Sequence, residues 1–239
     1  MIIDAKGLDY SVLNKYIKEA QDNEIILEGV NGQRYIGAGT KGRTITIDGV
    51  AGNALGAYLD GSTIICKTNA QDATGDTMNE GEIIIHGSSG DACGYAMRGG
   101  KIFVLGNAGY RAGIHMKAYK SQKPSIIIGG MAGDFLGEYQ AGGNIAVLGL
   151  NSDEIPVGEF CGTGMHGGKI FIRSGKKPKG LPKQVIASLA TEDELAEIMP
   201  NLQDFAAHFD ISMDKIMEKS FYVLIPNTKN PYKQLYTHN

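Results

Sequence analysis

The sequence predicts a mainly β protein, a parallel β-helix of about six coils with short helical caps at its two ends. Three observations predict it: a 19-residue internal period, apolar columns two residues apart within each period, and a glycine triplet at a fixed place in most units. Internal repetition of this length is the mark of a stacked architecture, in which one unit cannot bury its own apolar face.

The chain before the repeat, residues 1–42, reads as an N-terminal cap. Residues 8–21 place Leu13, Tyr16, Ile17 and Ala20 on one helical face, and residues 24–40 read as an opening strand followed by a glycine turn. The repeat occupies 43–175. The segment that starts at Arg43 realigns with itself at Ser62, Gly81, Gly100, Pro124, Gly143 and Gly168, in steps of 19, 19, 19, 24, 19 and 25. The two long steps are the same unit with 5 or 6 added residues, in HMKAYKSQKP and GLNSDEIP, where a loop can leave the stack.

Aligned this way, the third position of each unit is Ile45, Ile64, Ile83, Ile102, Ile126, Ile145 and Ile170. The fifth is Ile47, Cys66, Ile85, Val104, Ile128, Val147 and Ile172. β-Branched residues two apart mark a strand face turned into a core. The position before the first column is Thr, Thr, Glu, Lys, Ser, Asn or Lys, which should face water. A unit of this length has room for roughly three short strands with turns, stacked at ~4.8 Å on its neighbours.

The glycine triplet G-x2-G-x3-G is Gly49, Gly52 and Gly56 in the first unit; Gly87, Gly90 and Gly94 in the third; Gly106, Gly109 and Gly113 in the fourth; Gly130, Gly133 and Gly137 in the fifth. The second unit keeps only Gly75, with Thr68 and Gln71 at the other places, and the sixth keeps Gly158 and Gly162. A spacing of three then four is also that of one helix face, but each glycine costs a helix about 1 kcal/mol relative to alanine. Glycine serves where a chain turns at positive φ or passes close to another backbone. A period of six, the sign of a left-handed hexapeptide helix, and the calcium-binding G-G-x-G-x-D nonapeptide are both absent.

Residues 176–239 read as a linker, a helical cap and an arm. Lys176 to Lys183 is rich in Gly, Pro and Lys. A helix begins after Thr191, an N-cap with Glu194 at the third helical position, and uses Leu195, Ile198 and Met199. A second short helix covers about 212–219, and FYVLIPNTKNPYKQLY reads as an extended arm packed back onto the chain or onto a partner.

Composition narrows the function classes. The chain has 239 residues, is 42% hydrophobic and carries a net charge of -3, which suits a packed domain and not a nucleic-acid-binding face. No apolar run reaches the ~18–20 residues of a membrane span, and MIIDAKGLDY lacks a signal pattern. The expectation is a cytoplasmic protein. The three cysteines form no Cys-x-x-Cys pair.

The residues that could carry chemistry each have a structural reading that is stronger. Cys66 falls in the fifth, inward column, and Cys93 and Cys161 share a column with Leu55, Ala112 and Leu136, so all three read as small core residues. His86, His115 and His166 fall in three different columns without metal-ligand spacing. Asn53, Asp72, Asp91, Tyr110, Asp134 and Glu159 form a polar column. Adjacent carboxylates can hold a metal, but Asp and Asn beside glycine are ordinary turn residues. The glycines match neither a phosphate loop nor a dinucleotide fingerprint. Lys176, Lys177, Lys179 and Lys183 read as a solvated linker or a docking patch for an acidic partner, and Met78, Met97, Met116 and Met165, in a column with Leu59, as flexible core filling. No catalytic, cofactor or metal residue is assigned. A carbohydrate-active β-helix enzyme would need a groove of paired acids and aromatics.

The strings GVAGNALGAYLDGSTI, GSSGDACGYAMRGGKIFVLG, GMAGDFLGEYQAGGNIAVLG and FCGTGMHGGKIFIR resemble the C-terminal GXGXG domain of the glutamate synthase large subunit, over roughly residues 40–175. The resemblance implies a right-handed β-helix with a structural role between a glutamine amidotransferase and an FMN-dependent synthase. Only the motif glycines carry over. The chain opens Met1-Ile2 instead of with a cysteine nucleophile and has neither a flavin barrel nor cluster cysteines. It is therefore expected to be the stand-alone form, with FMN and an iron–sulfur cluster in partner subunits. A similar β-helix occurs in formylmethanofuran dehydrogenase, which gives an alternative complex, and a homo-oligomer without enzyme partners is a further one.

Overall fold

The structure is a computed structural model, and it describes residues 1–227. In chain order the elements are β1 (Ile2–Asp4), α1 (Tyr10–Glu19), β2 (Glu24–Asn31), β3 (Thr44–Val50), β4 (Asp60–Cys66), β5 (Glu80–Ile85), β6 (Lys101–Val104), β7 (Ser125–Ile128), β8 (Ala141–Val147), β9 (Gly167–Arg173), β10 (Val185–Leu189), α2 (Glu192–Phe209), α3 (Met213–Met217) and β11 (Phe221–Pro226). The strands form one 11-stranded sheet in the order β1-β2-β3-β4-β5-β6-β7-β8-β9-β11-β10. β1 to β9 pair in parallel, and β11 pairs antiparallel with both β9 and β10.

The register follows the repeat. Ile45 pairs with Ile64, Ile64 with Ile83, and the ladder continues through Ile102, Ile126, Ile145 and Ile170. Every residue of this column, and of the column two further on, is fully buried. The ladder also starts earlier than the sequence period suggests: Ile25 pairs with Ile45 and Leu27 with Ile47, so β2 is already a rung.

Each unit differs from the expected three strands. It holds one strand and a single bridge position, followed by a run of turns. The bridges form their own parallel ladder, Ala51–Ala70–Ser89–Ala108–Ala132–Val157. The turns replace a third strand because their backbone enters the left-handed region at every second residue, as at Ala54, Gly56 and Tyr58, which breaks a continuous ladder. Their amides still pair between units: Ala54 N donates up to Asp72 O at 2.8 Å, and Gly56 N donates down to Ile36 O at 2.9 Å.

The sheet has a second core on its outer face. Ile84, Phe103, Ile127, Ala146 and Phe171 alternate with the inner columns and point the other way, onto Ile198, Leu202, Phe205 and Ala206 of α2. The column expected to face water lies at the margin of this layer. Lys101 Nζ reaches Asp204 at 2.6 Å and Glu82 at 3.5 Å, Lys169 reaches Glu197 at 2.6 Å, and buried Ser125 accepts from Asn201 at 3.1 Å. A parallel sheet buried on both faces needs such a cover.

α2 starts with the expected capping box, Thr191 with Glu194, but runs through Pro200 to Phe209 and ends at Asp210 in the left-handed conformation. α3 brings its last carbonyls to Arg173. This buried guanidinium donates to Ile216 O at 2.8 Å, Leu148 O at 3.1 Å and Lys215 O at 2.8 Å, and burial lowers its pKa.

At the other end α1 buries Leu13 and Ile17 over the first rungs, and Ala20 just beyond it is also buried. Tyr16, expected on that face, is 44% exposed, because two apolar side chains one turn apart already fill the contact. Arg43 donates to Ile17 O, Lys18 O and Ala20 O, satisfying the carbonyls that a helix C-terminus leaves free. The segment read as a plain linker leads into β10, and Pro178 is buried while Leu181 packs on the inner core at the far end of the stack. The expected arm is β11 as far as Pro226; its remainder, from 228, lies outside the described residues.

Candidate functional site

The glycine triplets are where the sequence is least ordinary, and each place in the triplet has its own neighbour. The third glycine turns the chain at positive φ, +70° at both Gly94 and Gly113, and its missing side chain admits an isoleucine tip from the inner ladder. A Cβ on Gly113 would press into Ile145 Cδ1, and one on Gly94 into Ile126 Cδ1. Gly56 and Gly137 meet Ile83 and Ile170 the same way, each at 2.6 Å, while Gly162 meets Val185 at 3.1 Å where the stack ends.

The first two glycines lie against the unit below. Cβ atoms on Gly49 and Gly52 would strike the carbonyls of Val30 and Gly32. On Gly87, Gly106 and Gly130 they would strike the side-chain oxygens of Asn69, Ser88 and Asn107; on Gly90, Gly109 and Gly158, those of Asp72, Asp91 and Asp134. A Cβ on Gly133 would meet the backbone of Gly109 at 3.0 Å.

These side-chain oxygens form two ladders. Asp72 Oδ1 accepts from Asp91 N at 2.9 Å, Asp91 Oδ1 from Tyr110 N at 2.8 Å, and Asp134 Oδ1 from Glu159 N at 2.8 Å. Asn69 Oδ1 accepts from Ser88 N at 2.8 Å, Ser88 Oγ from Asn107 N at 3.0 Å, and Asn107 Oδ1 from Met131 N at 2.8 Å. The polar column read from the sequence is thus built into turns. The second ladder is not evident in the sequence, because Asn69, Ser88 and Asn107 are not one residue type.

The remaining candidates sit apart. Cys66, Cys93 and Cys161 are buried in the inner core. Burial pushes the Cys93 thiol up to about 11 and the Cys161 thiol up to about 12, and raises that of Cys66. Met78, Met97, Met116 and Met165 are fully buried. In their column the fifth unit has Gln140, whose Nε2 donates to Gly142 O and Gly143 O while Oε1 finds no partner. His86 meets Phe209 edge-on, 5.1 Å between centroids; His115 stacks on Tyr139 at 5.2 Å; His166 Nδ1 lies 3.2 Å from Gly164 O. Lys176, Lys177, Lys179 and Lys183 are exposed. Among the described residues no three His, Cys, Asp or Glu side chains are grouped to hold a metal ion, and no helix is long and apolar enough to cross a membrane.

Two cavities of about 540 Å³ flank the stack, one between α1 and the first turns, lined by Tyr10, Ile17, Tyr35 and Arg43, the other by Val157, Phe160, Cys161 and Leu181. Between them the turns form a face. Its columns carry Ala54, Ala73 and Ala92 in the early units but Arg111, Phe135 and Phe160 in the later ones, all at positive φ. Phe160 stacks on Phe135 with centroids 4.9 Å apart, and the Arg111 guanidinium lies 4.7 Å over the other side of Phe135 while Nε reaches Glu138 at 3.2 Å. No nucleophile, base and oxyanion donor converge in the sites described here.

Comparison with known proteins gives the family of the chain. The chain is 41% identical, over 253 aligned positions spanning 99% of it and 96% of the relative, to the uncharacterized protein MJ1350 of Methanocaldococcus jannaschii. Its fold is similar, at a TM-score of 0.64 and 20% identity, to a chain of the formyltransferase/hydrolase complex FhcABCD from Methylorubrum extorquens, solved with methylofuran, covering 85% of this chain and 73% of that one. The sequence model of the GXGXG motif family matches residues 20–227, from the end of α1 through β11. With its triplets letting successive units pack closely as described, the chain belongs to the GXGXG motif family.

Proposed function

We propose that this chain is a non-catalytic structural subunit of a multi-subunit, glutamate-synthase-like oxidoreductase complex, in which it docks a glutamine amidotransferase to an FMN-dependent synthase subunit. The reading takes the stack as a right-handed parallel β-helix of about six coils, with 43–175 as the spacer and the flanks 1–42 and 176–239 closing its ends. The observation that carries it is the extent of the family match, residues 20–227, which takes in the stack and its C-terminal cover together. FMN and an iron–sulfur cluster belong, on this reading, to the partners. The residues here do not fit a cluster, since the three cysteines are separate core side chains with raised thiol pKa values.

A second reading has one observation in its favour, the fold likeness to a chain of a formyltransferase/hydrolase complex. The same scaffold would then serve a formylmethanofuran-dehydrogenase-type assembly. Affinity purification of the tagged chain from its own host separates the two. A yellow complex with a flavin synthase and an amidotransferase supports the first reading; molybdenum or tungsten with formyl-transfer subunits supports the second; a lone chain under gentle lysis refutes both. The loops that leave the repeat give a finer test. Deleting 117–123 should remove partner binding and leave the thermal transition in place; unfolding would count against a docking role for that loop.

A further inference from the structure

We propose that the turn face of the later units is the docking surface for a partner protein presenting apolar side chains ringed by lysine or arginine. The proposal rests on the complex reading above in one respect, that the partner is another subunit of the assembly.

The first ground is backbone strain. Left-handed φ is uncommon for any residue with a Cβ and a true outlier for a bulky one. In the column of Arg111, Phe135 and Phe160 the early units carry Ala54, Ala73 and Ala92, so the fold does not require large side chains there; the column of His115 and Tyr139 already holds Tyr58, Thr77 and Ala96. The later units nonetheless place Arg111, Phe135 and Phe160 at φ between +58° and +61° in the alanine column. Strain held at named positions, where the same chain shows a less strained choice, points to a use outside folding.

The second ground is what these residues expose. Tyr95, Tyr110 and Phe160 are 40%, 51% and 49% exposed. The rings run along the stack: Tyr95 meets His115 edge-on at 6.0 Å, His115 stacks on Tyr139, and Phe135 on Phe160. Gly164 extends the second row, since a Cβ there would strike the Tyr139 ring. Rings stacked on one another turn their edges outward. A sugar needs an open ring face to lie on, so the arrangement favours a protein surface over a glycan.

The third ground is charge. In the turn segments 90–97, 109–116, 133–140 and 158–165 the charged residues are Asp91, Asp134, Glu138 and Glu159 against Arg111 alone, and Arg111 is already paired with Glu138. Arg98 and Lys117 border the patch. Lys179 lines the cavity that Asp134 and Glu159 also line, and among the described residues Asp91, Asp134 and Glu159 form no ion pair; an apolar ridge beside such carboxylates complements apolar side chains with a cationic rim. Arg111, held between a carboxylate and the Phe135 ring, shows how this face takes a guanidinium.

The test compares the wild type with a Phe135→Ala/Phe160→Ala double variant, which puts into the later units the residue that Ala54, Ala73 and Ala92 supply in the earlier ones. Tyr58→Ala, on the first unit's turns, is the control. Tagged chains are isolated from the native host, and subunit stoichiometry is read by native mass spectrometry. A loss of about tenfold or more in a co-purified subunit, confined to the double variant, upholds the proposal. Full retention by the double variant overturns it and leaves the scaffold reading standing. If the wild type itself comes out alone, the scaffold reading fails, and the face is decided by a second measurement on the isolated full-length chain. There a fluorescent helical Leu/Lys peptide should bind the wild type about tenfold more tightly than the double variant, with affinity falling as salt rises. Equal binding by the two chains, or binding of a xylo-oligosaccharide on this face in place of the peptide, overturns the proposal.

Discussion

A methyl group added at Gly113 meets two obstacles at once. The position has φ +70°, which disfavours any Cβ by about 1–2 kcal/mol, and the new atom would press into Ile145 of the inner ladder, an overpacking of about 1–3 kcal/mol. Gly7 has almost the same φ, +71°, with nothing within 4 Å. Gly113→Ala should therefore lower stability by about 2–5 kcal/mol and Gly7→Ala by only about 1–2, read from urea midpoints. Similar losses in the two would mean that the isoleucine contact contributes nothing. The buried thiols give a second prediction at this scale. The folded protein holds Cys93 and Cys161 protonated up to about 11 and 12, whereas an ordinary thiol ionises near 9.0. Above that value the unfolded chain loses protons first. Stability should then fall as pH rises, by up to about 1.4 kcal/mol per pH unit for each thiol, until the folded values are reached. Cys161→Ala, which copies Ala112 in the same column, should flatten the curve from about pH 9 upward. Parallel curves for the two chains would place the alkaline loss elsewhere.

α2 owes its position to Phe205, Leu202 and Ile198 against outward-facing Phe103, Ile127 and Phe171. Phe205→Ala should cost about 3–5 kcal/mol and free α2 from the sheet, so that hydrogen exchange quickens in 192–209 while β2 and β3, which contribute no residue to that layer, keep their protection. Uniform quickening would mean that the two layers unfold as one. The inner layer was legible in the sequence because a fixed period overlays identical residues, and the capping box of Thr191 and Glu194 was legible because it is local chemistry. The outer layer left a signal that alternation alone discounts: Ile65, Ile84, Phe103, Ile127 and Phe171 occupy the outward side of their strands, where apolar residues mean a cover. β10 was hidden by the Gly, Pro and Lys residues before it, and the early rung β2 by its distance from the first full triplet. At the candidate site, the glycines could be read as architecture, but the strained aromatic columns could not, since φ is not written in residue type.

For the whole molecule, each unit touches only its neighbours, so protection should depend on place in the stack. Amides of β5 to β8, with rungs on both sides and α2 outside, should exchange slowest, and those of β1 and β10 at the sheet edges fastest; a flat profile would refute nearest-neighbour stabilisation. Ile102→Asp, in the middle, would bury a carboxylate with no counter-charge and should abolish the cooperative transition, whereas a soluble variant of normal stability would refute the ladder. The side-chain ladders add a direction to this. Asn69, Ser88 and Asn107, and likewise Asp72, Asp91 and Asp134, all accept from the turn that follows them. A finished turn thus offers fixed oxygens to a segment not yet in place. On a ribosome, where the amino end emerges first, each newly released length finds its acceptors already set, and the molecule can be laid down like courses of brick in the order in which it is translated.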